Sequence, residues 1–169
     1  MTMANRILSA FLSLLLPSIL FASPIPPAPN LNVKAYVLMD FDSKMILASS
    51  NEDLMLPPAS ITKMMTAYVA FTELKEKNIS MDEEILVSKK AWKTGGSKMF
   101  IEVGKKVKVR DILQGVITVS GNDASVALAE HISGDEKTFT TYMNQMAANL
   151  GLTNTNYSNS TGLPNDSLY

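Results

Sequence analysis

Cysteine is absent from the 169 residues, and histidine occurs once, as His131. The first absence excludes disulfides, a thiol nucleophile and cysteine-rich metal sites. The second rules out a polyhistidine metal site within this chain. An excess of either charge is also missing: 15 basic side chains face 16 acidic ones, and no basic stripe points to a nucleic-acid partner. No Gly-x-Ser-x-Gly nucleophile elbow supports a Ser-His-Asp triad through His131, which reads as an ordinary surface or half-buried residue. Long apolar runs are limited to residues 7–21, shorter than the ~20 residues a membrane span needs. Preceded by Arg6, that run reads as the core of a secretory signal over residues 1–22, with cleavage after Ala22 although Leu20 is large for the −3 position. The Pro-rich residues 23–34 then form an extended lead-in. An exported, periplasmic or cell-envelope location follows, and with no cysteine the mature fold must rest on its core.

What is present is one domain's worth of chain, residues 35–169. Apolar runs at 35–39 and 45–48, split by Asp40-Phe41-Asp42-Ser43-Lys44, predict a β-hairpin with a short polar turn. A helix apolar on nearly every face is predicted from Ser60 to Lys75 or Lys77, entered through Pro57-Pro58. Residues 89–99 read as loop. Helices are predicted over 111–118, with Ile112, Leu113, Val116 and Ile117 on the apolar face, over 123–132 with its stop at Gly134, and over 136–150 closed by Gly151. Residues 153–169 read mostly as loop. Two strands followed by helices alone make an odd inventory, because a stable sheet needs more strands.

Two short patterns carry chemistry. Ser60-Ile61-Thr62-Lys63 sets a hydroxyl and an amine one helical turn apart, on one face of a helix. A desolvated lysine gives up its proton more easily and can act as base for a neighbouring serine. Alone, the tetrapeptide also fits a helix cap with a lysine reaching out to solvent. Ser120-Gly121-Asn122 falls between two predicted helices, where a hydroxyl and an amide project from a backbone corner. Alone, it also fits a helix stop followed by a cap. Ser49-Ser50-Asn51 has the same form and reads as a plain turn, since it precedes the Ser60 helix.

Together these stretches resemble the penicillin-recognising serine enzymes, which carry Ser-x-x-Lys, a Ser-x-Asn type motif and Lys-Thr-Gly. More narrowly the chain is similar to the serine-type D-alanyl-D-alanine carboxypeptidases, the low-molecular-mass penicillin-binding proteins. The likeness rests on residues 58–66, on residues 120–130, on Met39-Asp40, on Gly96-Ser97-Lys98-Met99-Phe100, and on Asn144 with Leu150-Gly151-Leu152. Lys93-Thr94-Gly95 is not the third motif of that family, because the family's triplet lies on a strand and follows Ser-x-Asn.

The resemblance implies an α/β (α+β) fold of the β-lactamase/transpeptidase type, an antiparallel sheet with helices, incomplete at the C-terminal side of this sequence. It implies Ser60 as acyl-ester nucleophile, Lys63 as general base, Ser120 as proton relay and Asn122 as substrate binder, with no cofactor and no metal. The implied substrate is a peptidoglycan stem pentapeptide, and β-lactams would be covalent inhibitors. Peripheral inner-membrane attachment would come only through a later region. The implied reading is an N-terminal fragment, itself inactive, of a carboxypeptidase active in cell-wall remodelling. A murein DD-endopeptidase and a non-enzymatic truncated product are the alternatives. A class A β-lactamase fits less well, because no glutamate follows Glu136.

Overall fold

The computed structural model describes residues 27–165 and 167–169. The signal expected over residues 1–22 lies outside them, as does the start of the lead-in. The chain divides into two compact units, meeting in sequence at Leu54 and Met55.

The first unit contains the expected hairpin, β1 (Tyr36–Met39) and β2 (Ile46–Ser50), paired antiparallel with Tyr36 opposite Ser50 and Leu38 opposite Ala48. Its turn is built by Asp40, whose Oδ1 accepts from Ser43 N at 2.8 Å and from Ser43 Oγ at 2.6 Å. An Asx side chain closing its own turn in this way fixes the hairpin register. Ser49 and Ser50 belong to β2, and Asn51, with φ of 49°, makes the turn after it.

The second unit starts with a 3₁₀ turn, Ala59–Ile61, that runs into α1 (Thr62–Lys75). There follow β3 (Glu84–Leu86), α2 (Lys89–Lys93), β4 (Lys106–Lys108), α3 (Val109–Thr118), α4 (Asn122–Ser133) and α5 (Glu136–Asn149). The core surrounds α4, where every residue from Asn122 to Ala129 is buried. Three alanines and a serine among those eight let α4 sit close against α1, α3 and α5. One apolar cluster joins Val109, Ile112, Leu113 and Val116 to Ala124, Val126, Ala127 and Leu128; a second joins Met65, Val69 and Ala129 to Phe139, Met143 and Ala147. Tyr142 of α5 donates to Glu73 Oε1 of α1 at 2.6 Å, and that hydrogen bond, which only the protonated phenol can make, pushes the phenol pKa up to about 12.

Four expectations need correction. Residues 89–99 are not all loop: Ser88 Oγ accepts from Ala91 N at 3.0 Å and starts the five-residue α2. A second antiparallel pair, β3 with β4, was hidden because each strand is three residues long and only Ile85 turns fully inward. The flanking Glu84 and Lys106 form an ion pair at 3.4 Å instead of an apolar stripe. Ile117 faces outward at 60 % exposure, leaving Ile112, Leu113 and Val116 as the buried stripe of α3. Nor is α1 buried all round, since Met64, Tyr68 and Phe71 are exposed along one stripe, spaced as one helix face. Among the described residues, no helix is long and apolar enough to cross a membrane.

Candidate active site

Ser60 is the middle residue of the 3₁₀ turn, placed by Ala59, whose φ of 48° bends the backbone into the left-handed region. Lys63 follows in the first turn of α1. Its Nζ lies 3.4 Å from Ser60 Oγ and donates to the carbonyl of Thr161 at 2.7 Å. Lys63 is only 5 % exposed, and burial lowers its pKa from the ordinary lysine range. No neighbouring charge contributes to that shift. The lysine therefore does not reach out to solvent, and the serine beside it is exposed.

Ser120 comes from the corner between α3 and α4, again at positive φ, 54°. Its Oγ donates to Ser60 Oγ at 3.0 Å. Gly121 N and Asn122 N then tie the corner to Gly115 O at 3.0 Å and to Ser97 O at 2.7 Å. Ser60, Lys63 and Ser120 thus meet, from two parts of the chain 57 or more positions apart. A cleft of about 250 Å³ opens beside them, walled by Met64, Ala67 and Val116. A larger groove of about 620 Å³, between Lys98, Met99 and α3, contains neither Ser60 nor Lys63. Asn122 is buried, and its Nδ2 donates to Gly95 O at 2.7 Å.

The arrangement can do one kind of chemistry well. An exposed hydroxyl beside a desolvated amine is a nucleophile with its base, and a second hydroxyl at hydrogen-bond distance gives the proton a route outward. The D-alanyl-D-alanine carboxypeptidase (peptidase S11) family matches residues 23–169. The chain belongs to that family. It is 42 % identical over 161 residues to the D-alanyl-D-alanine carboxypeptidase DacC of Escherichia coli K12, covering 92 % of this chain and 40 % of the relative. The crystal structure of the D-alanyl-D-alanine carboxypeptidase DacD from Francisella tularensis superposes with a TM-score of 0.81 at 44 % identity, covering 86 % of this chain and 35 % of that one. A D-alanyl-D-alanine endopeptidase of Pseudomonas aeruginosa is 34 % identical over 170 residues, covering 95 % of this chain and 54 % of the relative. The chain therefore spans about 40 % of the length of its carboxypeptidase relatives.

Within this family's frame, Lys93-Thr94-Gly95 lies on no strand. Lys93 ends α2 and Thr94 caps it, its Oγ1 donating back to Lys90 O at 2.9 Å. The triplet has a different use here, since Gly95 supplies the carbonyl that holds Asn122.

Sequence reasoning missed the segment 157–163, read only as loop. It has no helix or strand, yet Ser160 and Thr161 are buried and the Thr161 carbonyl is the closest partner of Lys63. Asn159 gives the segment its shape: its Oδ1 accepts from Thr161 N at 3.1 Å, Thr161 Oγ1 at 2.9 Å and Gly162 N at 2.7 Å. The one available signal was Asn159-Ser160-Thr161-Gly162, a turn composition. Gly162 has φ of 82°, and a Cβ placed there would overlap the Ala59 carbonyl oxygen. Gly162→Ala should therefore displace the Ser60 turn. A loss of about 1–3 kcal/mol in stability is expected, read as a lowered urea midpoint against the unsubstituted chain.

Proposed function

We propose that this chain carries the acylating half of a serine D-Ala-D-Ala carboxypeptidase acting on peptidoglycan stem peptides in the bacterial envelope. The observation that carries the reading is Ser60 Oγ lying 3.4 Å from the buried Lys63 amine and 3.0 Å from Ser120 Oγ. Ser60 attacks the carbonyl between two terminal D-alanines while Lys63 takes its proton. The C–N bond breaks as Ser120 passes a proton to the leaving amine, and D-alanine departs. Water then hydrolyses the ester and frees Ser60. The Ser60 N–H at the helix entrance offers one oxyanion donor, where the helix dipole also favours the developing charge. Asn122, immobilised by Gly95, binds the substrate's amide backbone. A Lys-Thr-Gly strand in the remainder of a protein of the relatives' length supplies the carboxylate binder and the second donor. β-Lactams acylate the same serine, and residues 1–22 direct export to the periplasm.

The test is release of D-alanine from a D-Ala-D-Ala-terminated pentapeptide by a protein of the relatives' full length. Release by the intact protein and none by the 169 residues alone is the expected result. Release that persists in Ser60→Ala would sink the reading. A second reading, DD-endopeptidase, is favoured by the likeness to the Pseudomonas aeruginosa endopeptidase. Cleavage of cross-linked peptide dimers in preference to the pentapeptide would select it.

A further inference from the structure

Lys63 has two polar neighbours at hydrogen-bond distance, Thr161 O at 2.7 Å and Ser60 Oγ at 3.4 Å. A neutral amine has two N–H donors and one lone pair, and only the lone pair can take a proton from a hydroxyl. A carbonyl can only accept. An N–H committed to Thr161 O therefore fixes how the remaining lone pair is aimed. Where the Thr161 carbonyl sits is then a matter for the catalytic step, and this carbonyl is carried by a segment without regular structure.

That segment is fastened one residue earlier. Glu136, in the first turn of α5, accepts from Ser160 N at 3.0 Å and from Ser160 Oγ at 2.8 Å, both through Oε1. Its other oxygen, Oε2, pairs with Lys90 Nζ of α2 at 2.7 Å. The carbonyl of Ser160, fully buried, accepts from Thr66 Oγ1 at 2.7 Å. Thr66 and Lys63 lie three residues apart on α1, so consecutive carbonyls, 160 and 161, are stitched to one face of that helix. Asn159 shapes the turn internally, whereas Glu136 ties it to α5 and, through Lys90, to α2.

We infer that Glu136, held by Lys90, is a positioning residue for Lys63: by anchoring Ser160 it sets the Thr161 carbonyl that aims the lysine amine at Ser60. This rests on the reading of Lys63 as the base for Ser60. Burial pushes the Glu136 carboxyl up, but the Lys90 ion pair and the Ser160 donors outweigh it and hold the group below the usual glutamate range. The anchor is accordingly ionised at neutral pH. Asp135, next to Glu136, lies within the field of the same Lys90, and the cause of the lowered Lys63 pKa is burial. Removing the Glu136 charge should not by itself move Lys63, so a changed titration of Lys63 reports changed geometry and hydration.

The experiment is competitive acetylation of the 169-residue chain with acetic anhydride across a pH series, reading the Lys63 peptide by mass spectrometry against peptides of surface lysines. The unsubstituted chain should show Lys63 titrating below those lysines. In Glu136→Ala the segment loses both Ser160 anchors, water reaches Nζ, and the Lys63 midpoint should move up towards the surface lysines. Glu136→Gln keeps an acceptor for Ser160 and should fall between the two. Thr66→Val removes the second stitch at nearly constant volume and should move Lys63 in the same direction by less. An unmoved midpoint in Glu136→Ala with unchanged circular dichroism overturns the proposal. If Glu136→Ala does not fold, unmoved midpoints in both Glu136→Gln and Thr66→Val overturn it. Acylation by fluorescent penicillin, read separately in a protein of the relatives' full length, tests the underlying reading. Moved midpoints with no dependence of acylation on Lys63 would uphold the positioning role and overturn the base.

Discussion

Covalent labelling by a fluorescent penicillin should vanish in Ser60→Ala and fall by about 10²- to 10⁴-fold in Lys63→Met, in a protein of the relatives' full length. The serine result follows from chemistry: alanine has no oxygen to form the ester, and the hydrogen bonds of Lys63 go to Ser60 and Thr161, not to Ser120. Methionine keeps most of the lysine stem, so the wall of the cleft survives while the proton acceptor is lost. Arginine should not rescue, since a guanidinium remains protonated and has no lone pair to offer. The pH dependence distinguishes this account from one in which the lysine only binds. Burial lowers the Lys63 pKa, so the free base accumulates at lower pH than for an exposed lysine. Labelling should rise tenfold per pH unit and level off below the ordinary lysine range. A rise that continues into that range would contradict a desolvated base. The same shift links to stability with a definite sign. The unfolded chain binds the Lys63 proton more tightly than the folded one, so stability increases as pH rises from the folded pKa to the ordinary lysine range.

Much of the helical frame was legible because its signals are local. Gly134 and Gly151 mark the ends of α4 and α5, and their positive φ values, 82° and 75°, are the backbone states that glycine adopts most easily. The placing of Ser60 with Lys63 was legible for the same reason, three residues along one helix. Ser120 is different. Nothing in its neighbourhood tells that its hydroxyl will lie 3.0 Å from a residue 60 positions earlier; only a resemblance to a family joined the two. The segment 157–163 was the least legible part of the site. Its contributions are backbone carbonyls, which every residue has, and its anchors are Thr66 on α1 and Glu136 and Asn144 on α5, far from one another in sequence. The short strands β3 and β4 were lost for a further reason. A three-residue strand with a charge at one end, as in β3, or at both, as in β4, has no periodicity to detect.

Asp123 provides the second large effect, on stability, and it sits next to the Ser120–Asn122 corner. It is 1 % exposed and accepts four backbone donors: Met99 N at 2.9 Å and Ala124 N at 2.9 Å through Oδ1, and Phe100 N at 2.8 Å and Ile101 N at 3.2 Å through Oδ2. Three consecutive amides, 99 to 101, thus converge on one carboxylate, and Phe100 takes a φ of 65° to permit it. Asp123→Ala leaves those donors with no acceptor in the interior, at about 1–3 kcal/mol for each that water cannot reach. A total loss of at least about 3 kcal/mol is expected from the urea midpoint of the 169-residue chain. The informative variant is Asp123→Asn. Asparagine is nearly the same shape, but its NH₂ would face two N–H groups, and flipping the amide only exchanges which pair is opposed. Asn should therefore be nearly as damaging as Ala, within about 1 kcal/mol. An asparagine variant close to the unsubstituted chain would show that one oxygen suffices and that the loop 99–101 is not held by the full carboxylate. Because Asn122 N donates to Ser97 O on the same stretch, the loosened loop should also release the corner that presents Ser120. Penicillin labelling of Asp123→Asn in a protein of the relatives' full length should then drop at temperatures where the fold persists, which separates loss of the corner from loss of the domain.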